Sequence, residues 1–280
     1  MIWVWSLLFT VLLAIGALVI WRLLDQRAEQ KAWTQLIDLG GPAGGTYSAA
    51  LVAELPEPAR RFFNYTIEPG TPLHRVVEIE MVGKLSLGSK DNPSYAPMRA
   101  RQLIAPPYGF VWSLKWNGVS GSDGAAAGRS WTRFWLFNLA PVARASGPDH
   151  FRSSFGRLIA DGLFWAPASM LPGQHVSWAP HGEDSATVIV DYQGLEQAVD
   201  LYVDDSGEPQ RVIFQRWSDE NPERAHQLQP FGGDLFDFKS FEGYRLPTSV
   251  TAGNHYGTED YFPFFKAQVT EVRFPGPREL

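Results

Sequence analysis

The polar residues best spaced to share a site are Arg157 and Asp161, which stand four positions apart. Residues at this spacing lie on one face of a helix, so the guanidinium and the carboxylate are expected to pair there. An exposed pair of this kind contributes only about 0.3–0.5 kcal/mol, which is the ordinary structural interpretation. Because Trp165 and Pro167 follow directly, we keep Arg157 and Asp161 as candidates for a polar site.

Other residues offer weaker chemistry. A hydrolase that uses Asp161, Asp237 or His255 is one alternative, since carboxylates and imidazole act as general acids and bases. Asp237 falls in the entry segment of a predicted strand, however, which favours a solvated turn over an acidic site. A scattered histidine in a β domain is usually a surface or packing residue. Motifs for phosphate cradles, zinc proteases and serine-hydrolase elbows are absent from the sequence. We assign no catalytic residue and expect no cofactor and no metal.

A central helix is predicted to position Arg157 and Asp161. Pro148 suits its first turn and Pro167 disfavours helix just before itself, which indicates a helix near residues 148–165. Its apolar residues recur at helical spacing: Phe151, Phe155, Leu158, Ile159, Gly162 and Leu163. We expect this stripe to be buried against a concave surface.

Segments with a period of two flank this helix on both sides, which is typical of strands. About ten are predicted, at residues 74–87, 98–105, 109–116, 129–139, 185–192, 197–203, 209–217, 235–241, 248–255 and 264–274. The glycine-rich stretch that runs from Gly118 to Gly128 is interpreted as a turn. Strands without intervening helices predict a mainly β (α+β) fold: a large curved antiparallel sheet or open barrel, with the helix on its concave face.

Aromatic residues are predicted to line an apolar cavity between sheet and helix. The chain has 11 Trp and 18 Phe, and rings on alternate strand positions project onto one face. Gly162 leaves a gap in the opposing helix. The candidate lining residues are Phe110, Trp112, Trp116, Trp131, Trp135, Phe155, Gly162 and Trp165. A lipid or acyl chain is the expected ligand, and a structural or interaction domain with a dry aromatic core is the alternative.

The N-terminal segment has the length and composition of a membrane anchor. Residues 2–24 are apolar until Arg22, and about 20 such residues cross a bilayer. We predict a single-pass anchor in a bacterial inner membrane at residues 1–24, a stalk and glycine-rich linker at 25–50, and one soluble domain at 51–280. The basic residues Arg22, Arg27 and Lys31 follow the span, which favours the cytoplasmic side for that domain.

Composition narrows the remaining function classes. Hydrophobic residues make up 45% and charged residues 19%, which predicts a folded core rather than disorder. The formal net charge is −6 without a long basic run, which argues against nucleic acid as a partner. The absence of cysteine excludes disulfides, thiolate metal sites and a cysteine nucleophile.

Several short motifs together resemble a known family. Arg157, Ile159, Asp161, Trp165 and Pro167 match a segment of the form R-x-[LI]-x-[DE]-x-x-x-W-x-P-x-A, and Ala168 lies one position before the final alanine of that form. An earlier segment, LPEPARRF at residues 55–62, looks like an entry motif of the same family. The chain therefore resembles an uncharacterised bacterial family of membrane-anchored domains. The resemblance implies an architecture like that of the periplasmic lipoprotein carriers, an unclosed antiparallel barrel that holds helices over an apolar cavity, and it carries over no activity.

Overall fold

The computed structural model of the chain describes residues 2–40 and 44–276. Its helices are α1 (Ile2–Gly40), α2 (Glu57–Thr66) and α3 (Pro148–Trp165), with short 3₁₀ helices at Ala49–Val52 and Pro167–Met170. The strands are β1 (Val77–Ser86), β2 (Tyr95–Ala105), β3 (Gly109–Trp116), β4 (Val119–Ala126), β5 (Arg129–Leu136), β6 (Ala140–Ala145), β7 (Val176–Gly182), β8 (Ser185–Tyr192), β9 (Leu195–Val203), β10 (Pro209–Ser218), β11 (Gln227–Phe241), β12 (Tyr244–Asn254) and β13 (Phe262–Arg273).

All these strands form one antiparallel sheet, in the order β6-β5-β4-β3-β2-β1-β13-β12-β11-β10-β9-β8-β7. Each half is a meander of consecutive hairpins, and the halves join where β1 pairs with β13. The edge strands β6 and β7 do not pair with each other. The curved, unclosed antiparallel sheet predicted from the sequence is therefore confirmed.

The helix α3 links the two edges of this sheet, because it lies between β6 and β7 in the chain. It therefore crosses the sheet, and it contacts strands of both halves on the concave face. Phe155, Leu158, Ile159 and Leu163 are each at most 4% exposed, which confirms the predicted apolar stripe. Its bounds agree with the expected region, because Pro148 occupies the first turn.

Three strands, β4, β6 and β7, were not predicted from the sequence. Of these, β4 matters most for the site. Its sequence, VSGSDGAA, has the composition of a turn, and the prediction of a turn there was wrong. The reason is a close contact: a Cβ added at Gly124 would lie 2.6 Å from the Trp131 ring. The indole of the neighbouring strand β5 covers this glycine, so small residues are required here rather than the β-branched residues that usually mark strands.

The second half of α1 packs on the outer face of the sheet. Ala32, Trp33 and Leu36 are at most 7% exposed and form an apolar cluster with residues of β2 to β5 that include Leu103 and Val111. The helical part of the stretch assigned above to a stalk is thus part of the folded body. Residues 41–43 of the expected glycine-rich linker lie outside the described residues.

An upstream contact ties α1 to β5 and β6. The Asp25 carboxylate accepts hydrogen bonds from the Trp135 indole at 3.0 Å and from Arg144 at 2.7 Å. The preceding part of α1 is exposed and apolar. Among the described residues, this helix alone is long and apolar enough to cross a membrane, with a mean hydropathy of 2.4 in its best window.

Truncation of the α3 stripe should destabilise the fold. We expect Phe155→Ala and Leu158→Ala each to lower the free energy of unfolding by about 2–5 kcal/mol, because both side chains leave cavities in the core. Arg152→Ala on the same helix should cost about 1 kcal/mol or less, since it removes only a cation–π contact with Trp217 at 4.0 Å. Urea denaturation measures the loss of unfolding free energy in each of the three variants. Equal, small losses would show that α3 is not packed as described.

Candidate functional site

A cavity of about 600 Å³ lies between α3 and the concave face of the sheet. Apolar side chains make up most of its walls, among them Leu114, Trp116, Phe134, Phe214, Phe231, Leu235, Phe264 and Phe265. Cavities of about 300–1,000 Å³ with apolar walls and a few polar groups are typical of small-molecule sites. The concave face thus holds space as well as a packed core.

A polar cluster at the cavity wall is centred on Arg157. Its Nη1 donates to Asp123 Oδ2 at 2.8 Å and its Nε donates to Asp161 Oδ2 at 3.3 Å. The guanidinium carbon also lies 5.0 Å from the Phe110 ring centroid and 4.9 Å from that of Trp112. One cation therefore holds two carboxylates, and aromatic rings fix its position.

The two carboxylates have additional donors. Thr132 Oγ1 donates to Asp123 Oδ1 at 2.8 Å, and Gln102 Nε2 donates to Asp161 Oδ2 at 2.8 Å. The His150 ring lies beside Asp123, with Nε2 at 3.5 Å from Oδ1. The cluster is thus connected from β2, β4 and β5 to α3, and it joins residues that are far apart in sequence.

The balance between burial, charge and hydrogen bonding differs between the two carboxylates. Burial raises the pKa of Asp123, but the hydrogen bond from His150 and the charge of Arg157 outweigh it, so this pKa lies below its usual value. At Asp161, burial outweighs the charge of Arg157 and the bond from Gln102, and the pKa lies above its usual value. Asp123 is therefore the stable anion of the cluster, and Asp161 takes up a proton more readily.

Arg216 lies on the same wall and comes from β10. Its Nε donates to Ser153 Oγ at 3.2 Å, and its guanidinium carbon lies 5.0 Å from the Phe231 ring centroid. Burial and the nearby charge of Arg157 lower its pKa below the usual value. Arg216 thus adds a second cation to the cavity.

Five of the ten residues proposed from the sequence line this cavity: Trp112, Trp116, Arg157, Asp161 and Trp165. Trp165 closes the inner end, where its Nε1 donates to Pro247 O at 3.2 Å. Phe110 and Phe155 are buried in the core beside the cavity.

Trp131 and Trp135 point to the outer face of the sheet and do not line the cavity. Trp131 packs in the cluster that contains Trp33 of α1, and Trp135 donates to Asp25. Alternation on β5 correctly placed these two rings on one face, but a period of two does not indicate which face is concave. The ring of β5 that faces the cavity is Phe134.

Gly162 provides no gap in the cavity wall. A Cβ at this position would lie 2.5 Å from Pro106 Cγ and 2.7 Å from Met170 Cε. The glycine instead allows α3 to approach these two side chains closely, so the void inferred from the helix sequence lies elsewhere.

Four residues of the site were not predicted from the sequence: Asp123, His150, Gln102 and Arg216. Two of them had a visible signal, because each interrupts an apolar alternation that faces the core: Gln102 follows Met98 and Ala100 on β2, and Arg216 follows Val212 and Phe214 on β10. Asp123 had none, since its strand was taken for a turn.

The residues of the hydrolase alternative are not brought together. Asp237 is exposed on β11, whereas His255 contacts the backbone of Glu220 at 3.0 Å in a loop. Neither lines the cavity that contains Asp161. In residues 2–40 and 44–276, moreover, no three His, Asp or Glu side chains are grouped to hold a metal ion.

Residues 45–267 match the model of a family of unknown function, DUF6544. The chain belongs to this family. The family match covers α3, the strands β1 to β12 and the first half of β13. It confirms the resemblance to an uncharacterised family. No curated protein matches the sequence.

The chain is also similar to solved structures at low identity. A LolA superfamily protein from Nitrosomonas europaea has 12% identity and a TM-score of 0.44, over 80% of this chain and 93% of that one. A domain assigned to outer membrane lipoprotein sorting, from Vibrio parahaemolyticus, has 11% identity and a TM-score of 0.39, over 82% of this chain and 93% of that one.

Proposed function

We propose that this DUF6544 chain is a membrane-anchored protein that binds a lipid acyl chain in the cavity between α3 and the sheet. The observation that carries the proposal is the apolar cavity of about 600 Å³. Each methylene removed from water contributes about 0.8 kcal/mol to the free energy of binding, so the burial of a single acyl chain within such walls is favourable. The polar cluster on one wall then contacts the polar end of the ligand.

The mouth of the cavity supports a membrane source for this ligand. Apolar residues form a rim at one end of the sheet: Leu87, Phe137, Leu139 and Val142, which are exposed, and Val119, which is half-buried. Three of them (Leu87, Val119 and Val142) also line the cavity. Strand pairing places the end of β1, the start of β4 and the β5–β6 turn at this same end.

The apolar part of α1 leads to this rim. Arg22 Nε donates to Asn138 Oδ1 at 3.2 Å, and Asn138 lies between Phe137 and Leu139 in the β5–β6 turn. With residues 3–21 in a bilayer, the rim lies against the membrane surface, where exposed apolar side chains are favoured. We place the anchor in a bacterial inner membrane, and the basic residues after the span favour a cytoplasmic domain.

Filling the cavity should abolish acyl-chain uptake. Ala252 lies on β12 and lines the cavity, so we expect Ala252→Trp to reduce occupancy by about tenfold or more. The full chain is placed in phosphatidylcholine nanodiscs with a trace of fatty acid that carries a mid-chain diazirine. Photolysis and peptide mapping then measure labelling of α3 and β10, relative to labelling of α1 in the bilayer.

The matched control is Ser249→Trp, which introduces the same side chain on the opposite face of β12. It should leave the labelling of α3 and β10 unchanged. The thermal midpoint of Ala252→Trp should stay level or rise, because a void is filled. A dry aromatic core, the alternative, predicts labelling of α1 alone in the parent chain and a lower midpoint in Ala252→Trp, since overpacking costs about 1–3 kcal/mol.

A further inference from the structure

Arg216 lies in the cavity with most of its hydrogen-bonding capacity unused. Its Nε donates to Ser153 Oγ and its guanidinium lies over the Phe231 ring, which together fix the side chain. In the part of the chain that the structure describes, no carboxylate lies within ion-pair distance of Arg216, and its two terminal nitrogens donate no hydrogen bond. Half-buried cations in apolar surroundings are normally paired.

The neighbouring Arg157 shows what a satisfied guanidinium looks like in the same cavity. It donates to both Asp123 and Asp161, so the two carboxylates of the cluster are taken by one cation. Arg216 is left as the second cation.

Strand register places Arg216 toward the mouth of the cavity. Its partner Gln229 lies near the start of β11, and the start of β11 pairs with the end of β12, which pairs with the start of β13. The start of β13 pairs in turn with the end of β1 at Leu85, so Arg216 and the rim lie at the same end of the sheet. Val212 and Leu235, which also line the cavity, lie further along the strands and away from the rim. A ligand held at Arg216 therefore has apolar space for a chain on the inner side.

We infer that Arg216 binds the anionic head group, a carboxylate or a phosphate monoester, of a single-chain lipid whose acyl chain fills the cavity. This inference rests on the acyl-chain binding proposed above and names the class of ligand. The guanidinium offers two parallel N–H donors in a rigid fork, which matches the oxygens of either anion. Ser153 and Phe231 hold this fork in place before the ligand arrives, which reduces the entropy lost on binding.

The experiment compares two probes that differ in the head group alone. The full chain is placed in phosphatidylcholine nanodiscs with a mid-chain diazirine fatty acid, or with the fatty alcohol of the same chain. Labelling of α3 and β10 is divided by labelling of α1, which corrects for the amount of probe in the bilayer. We expect the acid to label the cavity about tenfold more than the alcohol, as a charge-assisted hydrogen bond to Arg216 implies.

The substitution Arg216→Gln should remove this preference. The acid signal should fall by about tenfold to the level of the alcohol, whereas the alcohol signal should stay unchanged because the apolar walls are intact. The matched control is Arg211→Gln on the same strand, since Arg211 is exposed and contacts the Tyr202 ring on the other face. It should keep the full preference. Arg216→Lys should retain part of it, because the charge remains and the fork is lost.

Competitors separate the two possible anions from a free ion. Unlabelled single-chain phosphatidic acid should displace the photoreactive acid, whereas inorganic phosphate should not, because it lacks the chain. Displacement by inorganic phosphate alone would overturn the lipid head-group assignment. Equal labelling by acid and alcohol in the parent chain would overturn the role of Arg216 but leave acyl-chain binding in place. Absence of cavity labelling by both probes would overturn the proposed function itself.

Discussion

Replacement of Arg157 by methionine is expected to lower the free energy of unfolding at neutral pH by about 3–5 kcal/mol, the range measured when one partner of a buried ion pair is removed. Among the residues that the structure describes, Arg157 is the only arginine or lysine paired with Asp123 and Asp161. Each of the three side chains is at most 20% exposed. Methionine keeps the side-chain volume, so the loss measures charge rather than packing.

This loss should depend on pH in a defined direction. The pKa of Asp161 is already raised by burial in the native protein, so its stabilising contribution is present at low pH and is lost as the pH rises through that raised pKa. The pKa of Asp123 is lowered, so Asp123 contributes stability above its unfolded pKa. Without Arg157 both carboxylates become easier to protonate, and the deficit should shrink on acidification.

Urea denaturation between about pH 5 and pH 8 tests both statements. The control is Arg152→Met, on the same helix, where the guanidinium stacks on Trp217 and pairs with no buried carboxylate. This variant should show a small loss that is the same at each pH. A loss for Arg157→Met that is as small as that of the control would mean that the cluster is hydrated and contributes little.

The parts of the fold that the sequence predicted are those whose burial pattern is local. The helix α3 has two prolines that mark its ends and an apolar stripe of its own, so the sequence predicted it correctly at residues 148–165. The strand β3 was predicted for a similar reason, because its rings alternate within eight residues. Each element carries its own periodicity, which does not depend on its neighbours.

The polar cluster depends instead on which strands become neighbours. Asp123 reaches Arg157 only because β4 pairs between β3 and β5, and a glycine-rich segment pairs there because the Trp131 ring covers Gly124. That contact is visible only once both strands are placed. The assignment of Trp131 and Trp135 to the wrong face has the same origin, since alternation groups side chains without choosing the buried side.

The packing of the second half of α1 on the sheet was likewise not evident from the sequence, because this polar stretch resembled a stalk. Residues 25–39 read as a mixed polar helix, yet Trp33 and Leu36 are spaced to face one side and are at most 5% exposed. Arg101 of β2 covers the Trp33 ring at 4.0 Å. A helix that is apolar on a narrow stripe alone has a weak sequence signal, so its packing partner decides whether it is a linker or part of the core.

The position at which α1 is cut should therefore decide whether a soluble domain folds. Removal of residues 1–19 deletes most of the apolar span and keeps Asp25, Trp33 and Leu36, so we expect one cooperative unfolding transition. Removal of residues 1–39 also deletes Trp33 and Leu36. Loss of buried Trp and Leu side chains costs about 3–5 and 2–5 kcal/mol respectively.

The sum approaches the whole stability of an ordinary domain, about 5–15 kcal/mol. The shorter chain also exposes the apolar outer face around Leu103 and Val111, so we expect it to aggregate or to melt without cooperativity. Circular dichroism and size-exclusion chromatography of both truncated chains provide the comparison, and Trp33→Ala within the longer one should show an intermediate loss of stability. If residues 40–280 fold as cooperatively as residues 20–280, the helix only rests on the sheet, and the domain begins after the linker as the sequence indicated.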